Sequence, residues 1–188
     1  MRLSDAKVEQ PITQRAYLVP AHATAEGNEA FALELLAQIL GGSQTSRLYR
    51  ALVLDGSTAV NAGSWYWNDA LDIGQFGVYA VPAEDVSLDA VDGAIDAVIA
   101  TLREAEVSAA ELDRAKTRLI ADMIYAQDNQ AHLARIYGAT LTTGGTVRDV
   151  TEWPERIRAV TAAEILDVAK RYLQPGRFVV GHLLKAAA

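Results

Sequence analysis

The sequence has no cysteine, so it can build neither a disulfide framework nor a thiolate metal site, and a cysteine nucleophile is excluded. The redox compartment stays open. Histidine is almost as scarce: His22, His132 and His182 are the full complement, and none has a second histidine four residues away to grip a metal from one helical face. They read as a loop residue, a helix-surface or core-edge residue, and a strand residue with a local hydrogen bond, so no metal ligand is expected in this chain. Basic residues number 17 against 24 acidic ones, a net charge of -7, which argues against a nucleic-acid binder because phosphate affinity needs clustered cations. No serine lies in G-x-S-x-G, and no phosphate-loop lysine follows a glycine pair. No apolar run approaches the roughly 18 residues that cross a bilayer, and Met1 to Asp5 lacks the apolar core of a secretory signal. The expectation is a chain with no transmembrane segment, in cytoplasm or periplasm rather than in a membrane. Either it is not exported or it is a piece of a longer chain; the abrupt start and the Lys185-Ala186-Ala187-Ala188 ending suit a piece.

What is present is enough for one well-buried core, since 51% of the 188 residues are hydrophobic, and a single domain over residues 1–188 is expected. The chain is organised around Ile39-Leu40-Gly41-Gly42-Ser43-Gln44-Thr45-Ser46-Arg47-Leu48-Tyr49-Arg50-Ala51-Leu52-Val53. Phe31, Leu35, Leu36, Ile39 and Leu40 recur at helical spacing from Glu29, with Asn28 as cap, and the paired glycines are expected to stop that helix by taking left-handed backbone angles. Thr45 or Ser46 then caps a second helix with Leu48, Leu52 and Val53 on one face. Such a join is also ordinary helix punctuation.

The remaining elements follow from periodicity and caps. Ile12 to Pro20 reads as a strand. Thr58 to Trp67 and Ile73 to Val81 read as an antiparallel hairpin, with Phe76 and Val78 on one face and Trp65, Tyr66 and Trp67 packing sheet against helix rather than forming a ligand shelf. Ser87 caps a helix whose stripe is Leu88, Val91, Ile95, Val98, Ile99 and Leu102; Asp89, Asp92 and Asp96 fall on a solvated face. A capping box at Ser108 and Glu111 opens a long helix running through Tyr137 to a stop at Thr142-Thr143-Gly144-Gly145. Trp153-Pro154 starts a short helix, a second capping box at Thr161 and Glu164 opens another, and Phe178 to Leu184 is a strand suited to a covered sheet interior. Strands grouped apart from helices give an α+β class: a mostly antiparallel sheet with helices on one face, the chain ends in adjacent or nearby strands.

The run ILGG-SQT-SRLYRALVLDG resembles ILGGG-x-SSRLYxxLRExxGLAY, the start of the second-half domain in the pitrilysin and mitochondrial-processing-peptidase (M16) family of zinc peptidases, whose metal sits on an inverted H-x-x-E-H motif. The tail TAAEILDVAKRYLQPGRFVVGHLL is similar to that family's last helix and strand. The resemblance implies one half of the family's metallohydrolase fold, with zinc in the parent or partner domain and none bound here. It also implies partners: a zinc-bearing N-terminal domain, a second subunit of the same family, and a peptide or unfolded segment held in the chamber between halves.

In many such halves an arginine seven residues before a tyrosine helps to stabilise charge at the scissile carbonyl. Here those positions are Val53 and Val60, which cannot donate hydrogen bonds; Arg47 and Tyr49 are in the wrong register and read as structural. The resemblance therefore implies a chain without a catalytic set, inactive alone, whose parent is a zinc endopeptidase that takes its arginine and tyrosine from a partner subunit. A non-peptidase scaffold or interaction subunit of the same fold is the alternative. By analogy with the glycine-rich loop of the non-zinc processing subunit, Gly41, Gly42, Ser43 and Ser46 are the candidates for touching peptide.

Overall fold

The computed structural model describes residues 1–186; Ala187 and Ala188, the end of the terminal run remarked on above, lie outside the described residues. Five strands form one sheet in the order β1-β5-β2-β4-β3, with β1 at Arg2–Asp5, β2 at Ile12–Pro20, β3 at Ala59–Trp67, β4 at Ile73–Pro82 and β5 at Val179–Lys185. Every pairing is antiparallel except β1 with β5. The α+β reading holds. β1 is an addition to it, because four exposed residues carry no alternation by which a strand can be recognised.

The strand pattern separates two faces. Thr13, Arg15, Tyr17 and Val19 of β2 and Phe76, Val78 and Ala80 of β4 are buried and meet helices α1 (Glu29–Gly41), α2 (Leu88–Glu104) and α7 (Ala162–Tyr172). Among the described residues the other face carries no helix. On it the register places Leu18 opposite Gln75, Trp65 opposite Gly77, and Leu3 opposite Leu183. Trp65 lies over Gly77, where a Cβ would come within 2.0 Å of its ring, and its ring centroid is 6.1 Å from that of Tyr79. Sheet-to-helix packing thus holds for Tyr66 alone, whose hydroxyl donates to the Pro20 carbonyl at 2.6 Å; Trp65 and Trp67 point the other way because strand side chains alternate.

α2 buries the whole expected stripe, and Ser87 caps it. The long third helix is two: α3 (Ala109–Ala126) and α4 (Gln130–Thr142), the latter capped by the Asn129 side chain. The break falls at Gln127-Asp128-Asn129, where no apolar stripe spans the join. Only half of the first capping box forms, since Ser108 accepts from the Glu111 N–H while the Glu111 carboxylate turns to Arg47. The second box, Thr161 with Glu164, forms in full, and an unanticipated one, Thr146 with Asp149, opens the short α5 (Val147–Thr151). Helix α6 runs from Trp153 to Ala159 with Pro154 in its first turn. β5 is less covered than its apolar sequence suggests: His182 is its buried residue and Val179 is 69% exposed.

Candidate functional site

The glycine pair works by proximity rather than by handedness. Gly42 has φ -78°, in the right-handed region, and Gly41 is the last helical residue; a Cβ on Gly41 would sit 2.1 Å from the Ser64 amide nitrogen. Glycine is there because the end of α1 runs against the backbone of β3. Ser64 completes the junction by donating to the Ala37 carbonyl at 2.8 Å. Asn28 is likewise not a side-chain cap; its amide donates to Glu164 at 2.9 Å and ties α1 to α7.

Beyond the glycines, Ser43, Thr45 and Ser46 line a groove of about 460 Å³ against Glu111, Arg114 and Thr117 of α3. Arg47 fixes the loop to α3 with a two-pronged bond to Glu111, at 2.8 and 2.7 Å. Those bonds hold the Glu111 carboxyl below its usual range. Neither Ser46 nor Thr45 caps a helix by its side chain: Ser46 is 4% exposed and its hydroxyl has no hydrogen-bond partner among the described residues, while Ser43 and Thr45 bond each other at 3.0 Å. The expected second helix is a π-helical turn, Tyr49–Asp55. It ends where Gly56 packs over the Ala51 carbonyl, 2.4 Å from where a Cβ would be, and Ser57 follows at φ 49°.

Leu48 and Leu52 are buried as expected, and Val53 packs on the core edge. Val60 is 52% exposed, in the irregular register between Ala59 and Asn61 of β3. Neither valine side chain carries a hydrogen-bond donor.

Asp89 and Asp96 are exposed, as a solvated face requires, whereas Asp92 departs from that reading. Asp92 accepts from Thr13 at 2.8 Å and faces His182 Nε2 at 2.7 Å; Arg15, 2% exposed, donates to the Asp92 carbonyl at 2.8 Å and bonds Asp96. Asp89 pairs with Arg2 at 2.9 Å. The bond of His182 is therefore long-range, not local. Asp89, Asp92 and His182 bring one ligand atom each within 4.8 Å of one another, but the set does not fit zinc. It holds a single histidine, Arg2 occupies Asp89, and the Arg15 guanidinium stands 3.4 Å from Asp92, matching the charge that an ion would neutralise. The network staples α2 to the sheet.

A second partly buried carboxylate lies on α1. Glu34 accepts from Asn68 at 2.6 Å and from the Trp153 indole at 2.8 Å, and burial, with Asp69 nearby, pushes its carboxyl up to about 7. It faces a cavity of about 210 Å³ that His22 also lines. His22 stacks edge-on against Phe31, with centroids 5.1 Å apart.

The family model for the peptidase M16 inactive domain matches residues 3–119. The chain belongs to the peptidase M16 inactive-domain family. Among curated proteins it is 30% identical over 138 residues to an uncharacterized zinc protease of Rickettsia bellii, covering 73% of this chain and 33% of that protein. It is 26% identical over 169 residues to the alpha subunit of the mitochondrial-processing peptidase of Solanum tuberosum, covering 84% of this chain and 33% of that one. The chain thus spans about a third of the length of the curated relatives it matches. A protease structure from Helicobacter pylori superposes with a TM-score of 0.87 at 22% identity, covering 98% of this chain and 43% of that one, a likeness of fold.

As an M16 inactive domain, the chain keeps the fold of the family. Glu34 was not singled out from sequence. The available signal was a carboxylate three residues after Phe31 and beside Leu33 and Leu35, all buried, but its donors Asn68 and Trp153 are remote in sequence.

Proposed function

We propose that this chain is a single-domain, non-catalytic wall of a zinc endopeptidase that encloses peptides or unfolded protein segments. On this reading it is one domain of a longer two-domain chain. The zinc and its general base belong to an N-terminal domain of that chain or to a second M16-type subunit. The observation that carries the reading is the helix-free face of the sheet. Leu18 (71% exposed), Val179 (69%), Trp67 (62%), Leu3 and Ile73 stand out from it, one large apolar side chain from each of the five strands, and exposed apolar surface of that kind supports an interaction face. The groove beside Ser43 and Ser46 continues the reading as a place where bound peptide touches this half.

The test is to assemble the full-length parent, with its genetic neighbour of the same family and zinc, and follow cleavage of a fluorescently labelled unfolded protein. Cleavage that needs zinc, and that falls when Leu18→Glu and Val179→Glu are introduced into this domain, supports the wall. An assembly that holds zinc and cleaves nothing removes the enclosure reading and leaves the scaffold role.

A further inference from the structure

Glu34 poses a question that the wall does not answer. Its two oxygens each accept one N–H, from Asn68 and Trp153, both neutral donors. A carboxylate has about four acceptor sites, so about half of its capacity is unused. Among the described residues no lysine, arginine or histidine pairs with it. Buried carboxylates ordinarily have a cation or lose their charge.

The cavity in front of it is built for a particular shape. Met123, Ile136, Val150 and Trp153 give it an apolar wall, while Asp69 and Asp149 add negative charge at the lining. Asp149 commits one oxygen, Oδ2, to the Thr146 cap, and adds negative charge at the rim. About 210 Å³ is below the roughly 300 Å³ at which pockets take whole drug-sized molecules, and it suits a short aliphatic stem ending in a charged head. We propose that this cavity binds a primary alkylammonium group, with Glu34 as its counter-ion and the Met123, Ile136 and Trp153 side chains packing on its methylenes. Two sources carry that chemistry: a free aliphatic amine, and the side chain of a lysine in a peptide.

Trp153 supplies the reporter, because its indole N–H is bonded to Glu34. In a Trp65→Phe, Trp67→Phe background of the chain, n-butylamine is expected to shift the remaining indole N–H resonance saturably. The neutral n-pentanol is expected not to, and Glu34→Gln is expected to abolish the effect. Nα-acetyl-lysine amide binding more tightly than n-butylamine assigns the site to a peptide side chain, and the reverse order to a free amine. With a carboxyl near 7, binding should strengthen about tenfold between pH 6 and pH 8 as Glu34 ionises. His22, Asp69 and Asp149 on the lining, Tyr66 beside it and Arg156 over the Phe31 ring are the other titratable and charged groups; repeating the titration in His22→Gln removes the one histidine. Equal binding of n-pentanol, or unchanged amine binding in a folded Glu34→Gln protein, overturns the proposal. No peptidase partner is in this assay, so that failure leaves the wall reading intact.

Discussion

Asp92 on α2 and Glu34 on α1 are both sheltered carboxylates facing the interior, and they are handled in opposite ways. Asp92 has a buried arginine, a histidine and a threonine hydroxyl around it; Glu34 has two neutral donors and an open cavity. The first is a closed account of charge that fixes a helix to a sheet. The second leaves the protein dependent on pH, or on something that enters from outside. Ser46, a buried hydroxyl with no partner among the described residues, extends the series to its simplest member.

The largest effect is expected where the balanced network is opened. Arg15→Leu leaves Asp92 sheltered without its guanidinium and removes the stack on Phe178, 4.7 Å from the ring centroid; urea denaturation should show a loss of about 3–5 kcal/mol. Glu34→Gln sharpens the contrast through pH. Because the native carboxyl holds its proton up to about 7 rather than its ordinary 4.5, the native state binds the extra proton in that window, and wild-type stability falls as pH rises through it. The variant lacks this term, so the stability difference should move in its favour by about 3 kcal/mol between pH 4 and pH 8, whatever fixed cost the amide carries for leaving one donor unmatched. Denaturation at several pH values reads it; a flat difference would mean that Glu34 is not held protonated.

Smaller effects bound the comparison. Arg47→Ala breaks a partly exposed pair, with side chains 25% and 21% exposed, and thermal unfolding should register about 1 kcal/mol. That part of the loss tied to Glu111 should fade in acid, since its carboxyl is held low when folded and its stabilisation disappears as pH falls through that depressed value. Ser46→Ala should be close to neutral, within about 0.5 kcal/mol, or slightly stabilising, because it deletes a buried polar atom that has nothing to bond.

Where burial follows local periodicity, the sequence was readable. The stripe from Leu88 to Leu102, the strand Ile12–Pro20, the hairpin of β3 and β4 and the box at Thr161 depend on neighbours three or four residues away, or on alternation. What escaped depends on partners distant in the chain. Asp92 lies at a position that reads as solvated until β5 brings His182 to it, 90 residues later. Glu111 completes its box only if Arg47 is ignored, and the glycines at 41 and 42 look like a handedness signal until β3 is seen pressing on Gly41 and Gln38 on Gly42. The resemblance that named the family came from the same loop, whose side chains turned out to be the least legible in geometry.

The wide turn of Tyr49–Asp55 carries a further consequence. A π-helical segment accommodates one more residue than an α-helix of the same rise, so it is a frozen insertion. Deleting a single position there is the length change the segment can best absorb, by relaxing to α geometry. Relaxed in that way between Leu48 and Val53, the segment would lose a residue with little rotation of Val53 relative to Leu48, whereas the same deletion in a regular α-helix would turn everything beyond it by about 100°.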